Sequence, residues 1–416
     1  MERRLPGPGH WRRLHGGEAG EVADPQADSD AAEVEDEDDE GCAPCLCGVE
    51  AHGLEDFWTH GDAVSLSRSG RRLRERGRWC LDNLRVRRPG VCMEQEDDIT
   101  ERLERRLGQE HARRRLEVEG NYEAIFGHGI NFFHPENWYS THSMLRTGLV
   151  LTGLYGRGNR NTELIQVRHN RMDVEGLPDE FEGYSILQIS DLHVELNPGA
   201  MRRLLEILPE LAYDICVLTG DFRAKTFGPF DGALEGLARV VERLRRPVYG
   251  VLGNHDTIRM LPAIEAMGVR MLLNESEAVV RGDQRVHLAG VDDAHYYQAD
   301  DLVKARRGIP KDEVSILLSH TPEIYREADQ AGFDVMLSGH THGGQICLPG
   351  GIPLTLDASL PRRLGAGAWQ YGRLAGYTSV GVGTSIVAVR FNCLPEVTLH
   401  HLARVEVSTD AHEDEA

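Results

Sequence analysis

From residue 163 to the end of the apolar pattern near residue 407, short hydrophobic runs alternate with stretches whose apolar positions recur at helical spacing. Residues 164–168 alternate apolar and polar, as a half-buried strand does. Residues 184–190 and 214–220 each read as a short buried strand. Residues 200–211 between them read as a helix. The alternation continues through an amphipathic helix (234–244), a strand (248–252), a helix (260–267), strands (270–273 and 286–291), a helix (299–306), a strand (315–319), a helix (323–331) and a strand (335–338). After Gly344 the helical spacing stops, and 377–383 and 397–407 read as strands. Strand–helix alternation followed by a strand-rich end predicts an α/β sandwich with its helices outside.

The first 162 residues follow different rules. Residues 1–60 hold 16 Asp/Glu against 4 Arg, and residues 33–40 are almost all acidic; charge at this density repels itself and buries no core. Residues 61–120 hold 15 Arg against 12 acids, and 99–116 has helical spacing with a thin apolar stripe. The expectation is an unstructured extension over 1–115, an aromatic-rich segment over 116–162, the main domain over 163–405, and an acidic tail over 406–416. Phe132, Phe133, Trp138 and Tyr139 lead into the short apolar run 144–155, which either packs on the domain's own surface or lies at a membrane interface.

Net charge is −21 over 416 residues, but the 296 residues after 120 carry only −12, an ordinary surface that gives no basic face for nucleic acid. No run approaches the ~18 apolar residues of a membrane span. Met1-Glu2-Arg3-Arg4 is not followed by an apolar signal region. A cytoplasmic protein is expected, with peripheral contact at the inner membrane face the alternative for residues 132–155. Of the eight cysteines five are scattered and make no disulfide framework; Cys42, Cys45 and Cys47 have zinc-like spacing but lack an obvious fourth ligand beyond His52.

The chemistry gathers where strands end. One predicted strand runs into Asp191-Leu192-His193, the next into Gly220-Asp221, a third into Gly253-Asn254-His255-Asp256, a later one into His320, and the last into Gly339-His340-Thr341-His342-Gly343-Gly344-Gln345. Singly each is a turn or a cap. Together, at the carboxyl ends of strands where open α/β sheets gather ligands, they read as a metal centre. Arg223 reads as a surface residue or a phosphate contact. His295, Tyr296 and Tyr297 are candidates for substrate contact, and Gln345 for an amide that braces its loop.

In this order the five motifs resemble the calcineurin-like metallophosphoesterases, over about residues 163–402; the G-H-T-H-G-G-Q ending is similar to that of one bacterial subgroup, often membrane-associated. The resemblance implies a four-layer αββα fold and two divalent metal ions (Mn, Fe or Zn). It implies Asp191, His193, Asp221 and His342 around the first and Asp221, Asn254, His320 and His340 around the second, with Asp221 shared. It places His255 against the substrate as a proton donor or charge stabiliser, and Asp256 as its orienting carboxylate or a helix N-cap. The expected activity is in-line hydrolysis of a phosphodiester or pyrophosphate bond, on a lipid-linked substrate if residues 132–155 serve one. A phosphomonoesterase and a non-catalytic scaffold are the alternatives. No specific nucleic-acid partner is expected, and oligomeric state is not legible.

Overall fold

The computed structural model describes residues 93–120 and 139–405. The expectations for the acidic stretch, the Cys42–Cys45–Cys47 cluster, the aromatics at 132–138 and the tail after 405 lie outside those residues.

Two six-stranded mixed sheets stack face to face. The first has the order β1 (Gln166–Val174), β14 (Glu396–Arg404), β2 (Ser185–Ile189), β3 (Ile215–Thr219), β4 (Val248–Val251), β5 (Arg270–Met271). The second runs β12 (Gly367–Tyr371), β13 (Leu374–Thr378), β9 (Val335–Ser338), β8 (Ser315–Leu318), β7 (Gln284–Gly290), β6 (Glu275–Arg281). Strands β2 to β5 are mutually parallel, as are β7, β8, β9 and β13. Their carboxyl ends therefore lie along one edge of each sheet. A two-stranded ribbon, β10 (Cys347–Leu348) with β11 (Ile352–Pro353), is separate.

The period-2 rule explains the layers. In β3, Ile215 and Val217 face the space between the sheets, while Cys216 and Leu218 face the helices outside. In β9, Val335 and Leu337 point inward and Met336 outward. The inter-sheet core joins Ile186, Val217, Val251, Leu288, Ile316 and Leu337. Outside the first sheet pack α5 (Pro198–Ile207), α6 (Asp231–Val241) and α7 (Leu261–Ala266); outside the second pack α8 (Leu302–Arg306) and α9 (Tyr325–Ala331). This is the four-layer α/β/β/α sandwich expected. Strands β6 and β12 go beyond the sequence expectation. β6 reads Glu-Ser-Glu-Ala-Val-Val-Arg on an open edge, so no face of it is apolar throughout.

The N-terminal boundary moves. Residues 93–120, largely assigned to an unstructured extension, form α1 (Met93–Leu107) and α2 (Gln109–Gly120). Leu103, Leu107 and Ala112 are buried in the core of the first sheet's outer face. The stripe is thin because ion pairs supply much of the docking: Arg106 reaches Glu265 (2.8 Å) and Glu275. Two further helices, α3 (Tyr139–Leu151) and α4 (Tyr155–Asn161), precede β1.

A buried polar chain crosses between the sheets. His400 Nε2 donates to Gln188 Oε1 (2.9 Å), and Gln188 Nε2 donates to Ser338 O (2.9 Å) across the sandwich. Burial, with the neighbouring His401, pushes the His400 imidazole down to about 3. The unfolded chain takes up this proton near pH 6.5 while the folded chain refuses it until about pH 3, so the neutral ring's contribution is full above 6.5 and is lost as pH falls through that window. In urea titrations at several pH values, His400→Gln is expected to flatten the acid-side loss of stability by up to roughly 1.4 kcal/mol per pH unit below 6.5. Parallel profiles for the two proteins would refute this.

Candidate metal centre

Each ligand candidate sits just past the carboxyl end of a strand: Asp191 and His193 after β2, Asp221 after β3, Asn254 and His255 after β4, His320 after β8, His340 and His342 after β9. Because both sheets present their carboxyl edges to the same side, two sets of loops meet there. All seven expected ligand residues are brought together, each at most 6 % exposed. The ligand atoms of Asp191, His193 and His342 lie within 4.8 Å of one another, and so do those of Asp221, His320 and His340. Asp221 Oδ2 stands between the groups, 3.2 Å from His320 Nε2 and 3.7 Å from His193 Nε2. Asn254 Oδ1 is 3.0 Å from His320 Nε2.

The donor set suits cations. His193 Nδ1 donates to Arg223 O (2.8 Å) and His320 Nδ1 donates to Thr219 O (2.7 Å), which turns each Nε2 toward the centre. His340 Nε2 is buried without a hydrogen-bond partner, and the Nε2 atoms of His193 and His342 face each other at 3.1 Å. Orphaned imidazole nitrogens beside two buried carboxylates are what a metal would satisfy. Burial opposes charge on Asp221, but His320, His255 and His193 outweigh it and hold that carboxyl well below the usual range. Burial raises Asp191, with Asp221 adding to it. Burial keeps His340 and His342 neutral, helped by His295 and His320 on one and by His193 and Arg390 on the other.

His255 Nε2 is 4.0 Å from Asp221 Oδ2, and its Nδ1 is 3.1 Å from Thr226 Oγ1. Asp256 departs from expectation. Its carboxylate accepts the amides of Phe222 (2.9 Å), Arg223 (3.3 Å) and Gly253 (2.9 Å), so it ties the Asp221 loop to the Asn254 loop instead of pairing with the imidazole. It is no N-cap either; Thr257 caps the following turn. Arg223 is not a surface residue: it is 1 % exposed. Gln345 braces its loop, donating to Ser385 O (3.0 Å) and Val387 O (2.9 Å). His295 reaches the rim of the centre, its ring 4.3 Å from that of His340 and its Nδ1 2.6 Å from Glu323 Oε2; Tyr296 and Tyr297 belong to the same loop.

Sequence reading missed two groups. Arg390, fully buried, donates to Val380 O (2.7 Å) and Gly383 O (2.7 Å) and stands 3.4 Å from His342 Nδ1. Arg115 donates to the backbone of the loop that carries His255. Nothing marked Arg115 out within the run Arg113-Arg114-Arg115.

An αββα sandwich with two Asp/His groups at one carboxyl edge is an arrangement that could hold metal ions. Residues 184–344 match the family model described as Calcineurin-like phosphoesterase. The chain is 29% identical over 268 residues to "Uncharacterized metallophosphoesterase YkoQ" of Bacillus subtilis, covering 61% of this chain and 96% of the relative. It is 27% identical to "Phosphodiesterase YaeI" of Escherichia coli, over 54% and 84% of the two chains. A third relative is "Transmembrane protein with metallophosphoesterase domain" of Bos taurus, 30% identical over 54% of each chain. Over residues 184–344 the chain is thus similar to the calcineurin-like phosphoesterases, and this match with the relatives supports a hydrolase acting on phosphoric ester bonds. Among the described residues no helix is long and apolar enough to cross a membrane.

Gly253 shows how tightly the loops are set. A Cβ there would fall on Asp221 Oδ1 and within 2.5 Å of the Asp221 amide. Gly253→Ala must displace Asp221. The expected outcome is a loss of about 2–4 kcal/mol in stability and weaker metal retention, read by denaturant titration and by metal analysis after desalting. Unchanged retention would show that the Asp221 position is not critical.

Proposed function

We propose that this protein hydrolyses phosphodiester or pyrophosphate bonds at a dinuclear metal centre. Asp191, His193, Asp221 and His342 would hold one divalent ion (Mn, Fe or Zn) and Asp221, Asn254, His320 and His340 the other. The observation that carries the reading is the position of Asp221 Oδ2 between the two imidazole groups, with His255 Nε2 facing it. The likeness to a protein named a phosphodiesterase supports the diester preference. When bound, the ions would neutralise the phosphoryl oxygens and lower the pKa of water.

The remaining work falls to the protein's own groups. A hydroxide oxygen, its proton already given up to solvent, would form the new bond to phosphorus as the bond to the leaving oxygen breaks. His255 Nε2–H gives its proton to that oxygen, while Thr226 Oγ1 accepts from Nδ1–H and fixes the ring. The Asp256 carboxylate holds the backbone on either side, keeping Asp221 and His255 in register. With metal-stripped protein, adding Mn2+ is expected to give turnover of bis-p-nitrophenyl phosphate, and Asp221→Ala to lower it by on the order of 10³-fold or more. Mn-dependent turnover that survives in Asp221→Ala would refute the proposed centre.

The lipid-linked substrate rests on α3 and α4. Met144 (73 %), Val150 (50 %), Leu151 (82 %) and Leu154 (43 %) are exposed, and residues 139–162 include Arg146, Arg157 and Arg160 but no acid. Exposed apolar side chains in a segment that carries cations and no acid fit an anionic lipid surface. The full chain is expected to float with vesicles containing phosphatidylglycerol and to lose this in the double variant Met144→Asp, Leu151→Asp; flotation unaltered by those changes would place the contact elsewhere.

A further inference from the structure

Helix α2 lies outside the residues that match the family model, yet it grips the loop that carries Asn254 and His255. Arg115 is fully buried. Its Nη2 donates to Asp256 O (3.0 Å), its Nε donates to Asp292 Oδ2 (3.2 Å), and its guanidinium carbon lies 3.2 Å from the centroid of the Tyr297 ring. One turn on, Glu119 pairs with Arg115 (3.2 Å). Glu119 also accepts from Thr257 Oγ1 (2.5 Å), the Ile258 amide (2.8 Å) and Arg259 Nη1 (3.1 Å). His111 Nε2 stands 2.8 Å from Asp292 Oδ2.

Two site loops are tied together by this helix. One is residues 253–259, with Asn254 and His255. The other is residues 291–297, where the Asp293 carboxylate gathers the amides of His295, Tyr296 and Tyr297. Glu119 and Tyr297 also line a cavity of about 150 Å³, together with Thr226, the neighbour of His255 Nδ1. A buried ion-paired arginine whose fork ends on a backbone carbonyl is costly to desolvate and rigid once satisfied. Its expense is concentrated on the backbone one residue from His255. Nothing in core packing alone calls for that, since Leu103, Leu107 and Ala112 already dock the N-terminal helices.

We propose that α2 is a working part of the active site: Arg115 and Glu119 are positioning residues that set the His255 loop for proton delivery to the leaving group. The inference rests on the hydrolase reading above. Misplacing a catalytic group by about 1 Å costs on the order of 10²-fold in rate. A badly placed proton donor hurts poor leaving groups most.

The test uses the full chain with Mn2+ and two diesters, methyl p-nitrophenyl phosphate and methyl phenyl phosphate. Arg115→Lys, at unchanged metal content, is expected to lower kcat about 10- to 100-fold with KM within about threefold. The loss should be larger on the phenyl ester, as in His255→Ala. Glu119→Gln should show a smaller loss with the same preference, and it decides the matter if Arg115→Lys does not fold. Arg113→Ala, on the exposed side of the same helix, serves as the unaffected control. Wild-type kcat in folded, metal-loaded Arg115→Lys and Glu119→Gln would overturn the proposal. So would losses equal on both esters where His255→Ala discriminates between them. If His255→Ala itself fails to discriminate, the proton-donor reading falls, and the positioning role of α2 falls with it.

Discussion

The carboxylate of Asp221 is buried, ionised and surrounded by three imidazoles, and the rest of the carboxyl edge is arranged to make that tolerable. A carboxylate loses several kcal/mol of hydration on burial unless positive charge or strong donors replace the water. His320 Nε2 at 3.2 Å and His193 Nε2 at 3.7 Å face it, and the His255 amide donates to Oδ1 at 2.9 Å. Every one of these partners comes from a different strand end. Holding one carboxylate correctly therefore requires both sheets to be in register, which is why a site so small depends on a sandwich so large.

The backbone bears part of the cost. Asp191, His193, Asp221, His340 and His342 all have positive φ, between 39° and 71°. Side chains rarely adopt this region, and each such residue costs of order 1–3 kcal/mol. The conformation persists because the loops stitch to one another. The Asp191 amide donates to Gly220 O (3.0 Å), the His193 amide to Asp221 O (3.1 Å), and the His340 amide to Asp191 Oδ1 (3.0 Å). A left-handed residue shortly after a strand turns the side chain back over the sheet's edge. Five positive-φ residues, two to four positions past the ends of β2, β3 and β9, bring candidate ligands from separate strands together.

That geometry explains what could be read from the sequence. The residues that gather at the carboxyl edge were legible as candidates because strand periodicity places each strand's end and residue type marks what could bind there. The layers were legible because apolar runs such as residues 215–218 have no polar face to turn to solvent. Partners that act through the backbone were not. Asp256 looked like an orienting carboxylate because it follows His255, but its three bonds go to amides, and an amide leaves no mark in a sequence. Arg223 looked exposed because an arginine after a turn usually is. Arg115 was hidden among identical neighbours, only one of which the helix turns inward.

The same limit bears on the N-terminal helices. Residues 93–120 are polar enough to pass for solvated chain, with few apolar anchors. What fixes them is a set of long-range ion pairs, Arg106 to Glu265 and Arg115 to Asp292, each spanning more than 150 positions. Apolar periodicity reports burial of apolar surface and is blind to burial of matched charge. Such pairs contribute little net stability per contact, because desolvation offsets most of the attraction. They do enforce one arrangement, since a misplaced helix would strand Arg115 and Asp292 without counter-charges. Specificity of placement, more than strength, is what charged docking supplies, and here it falls on the loop that carries His255.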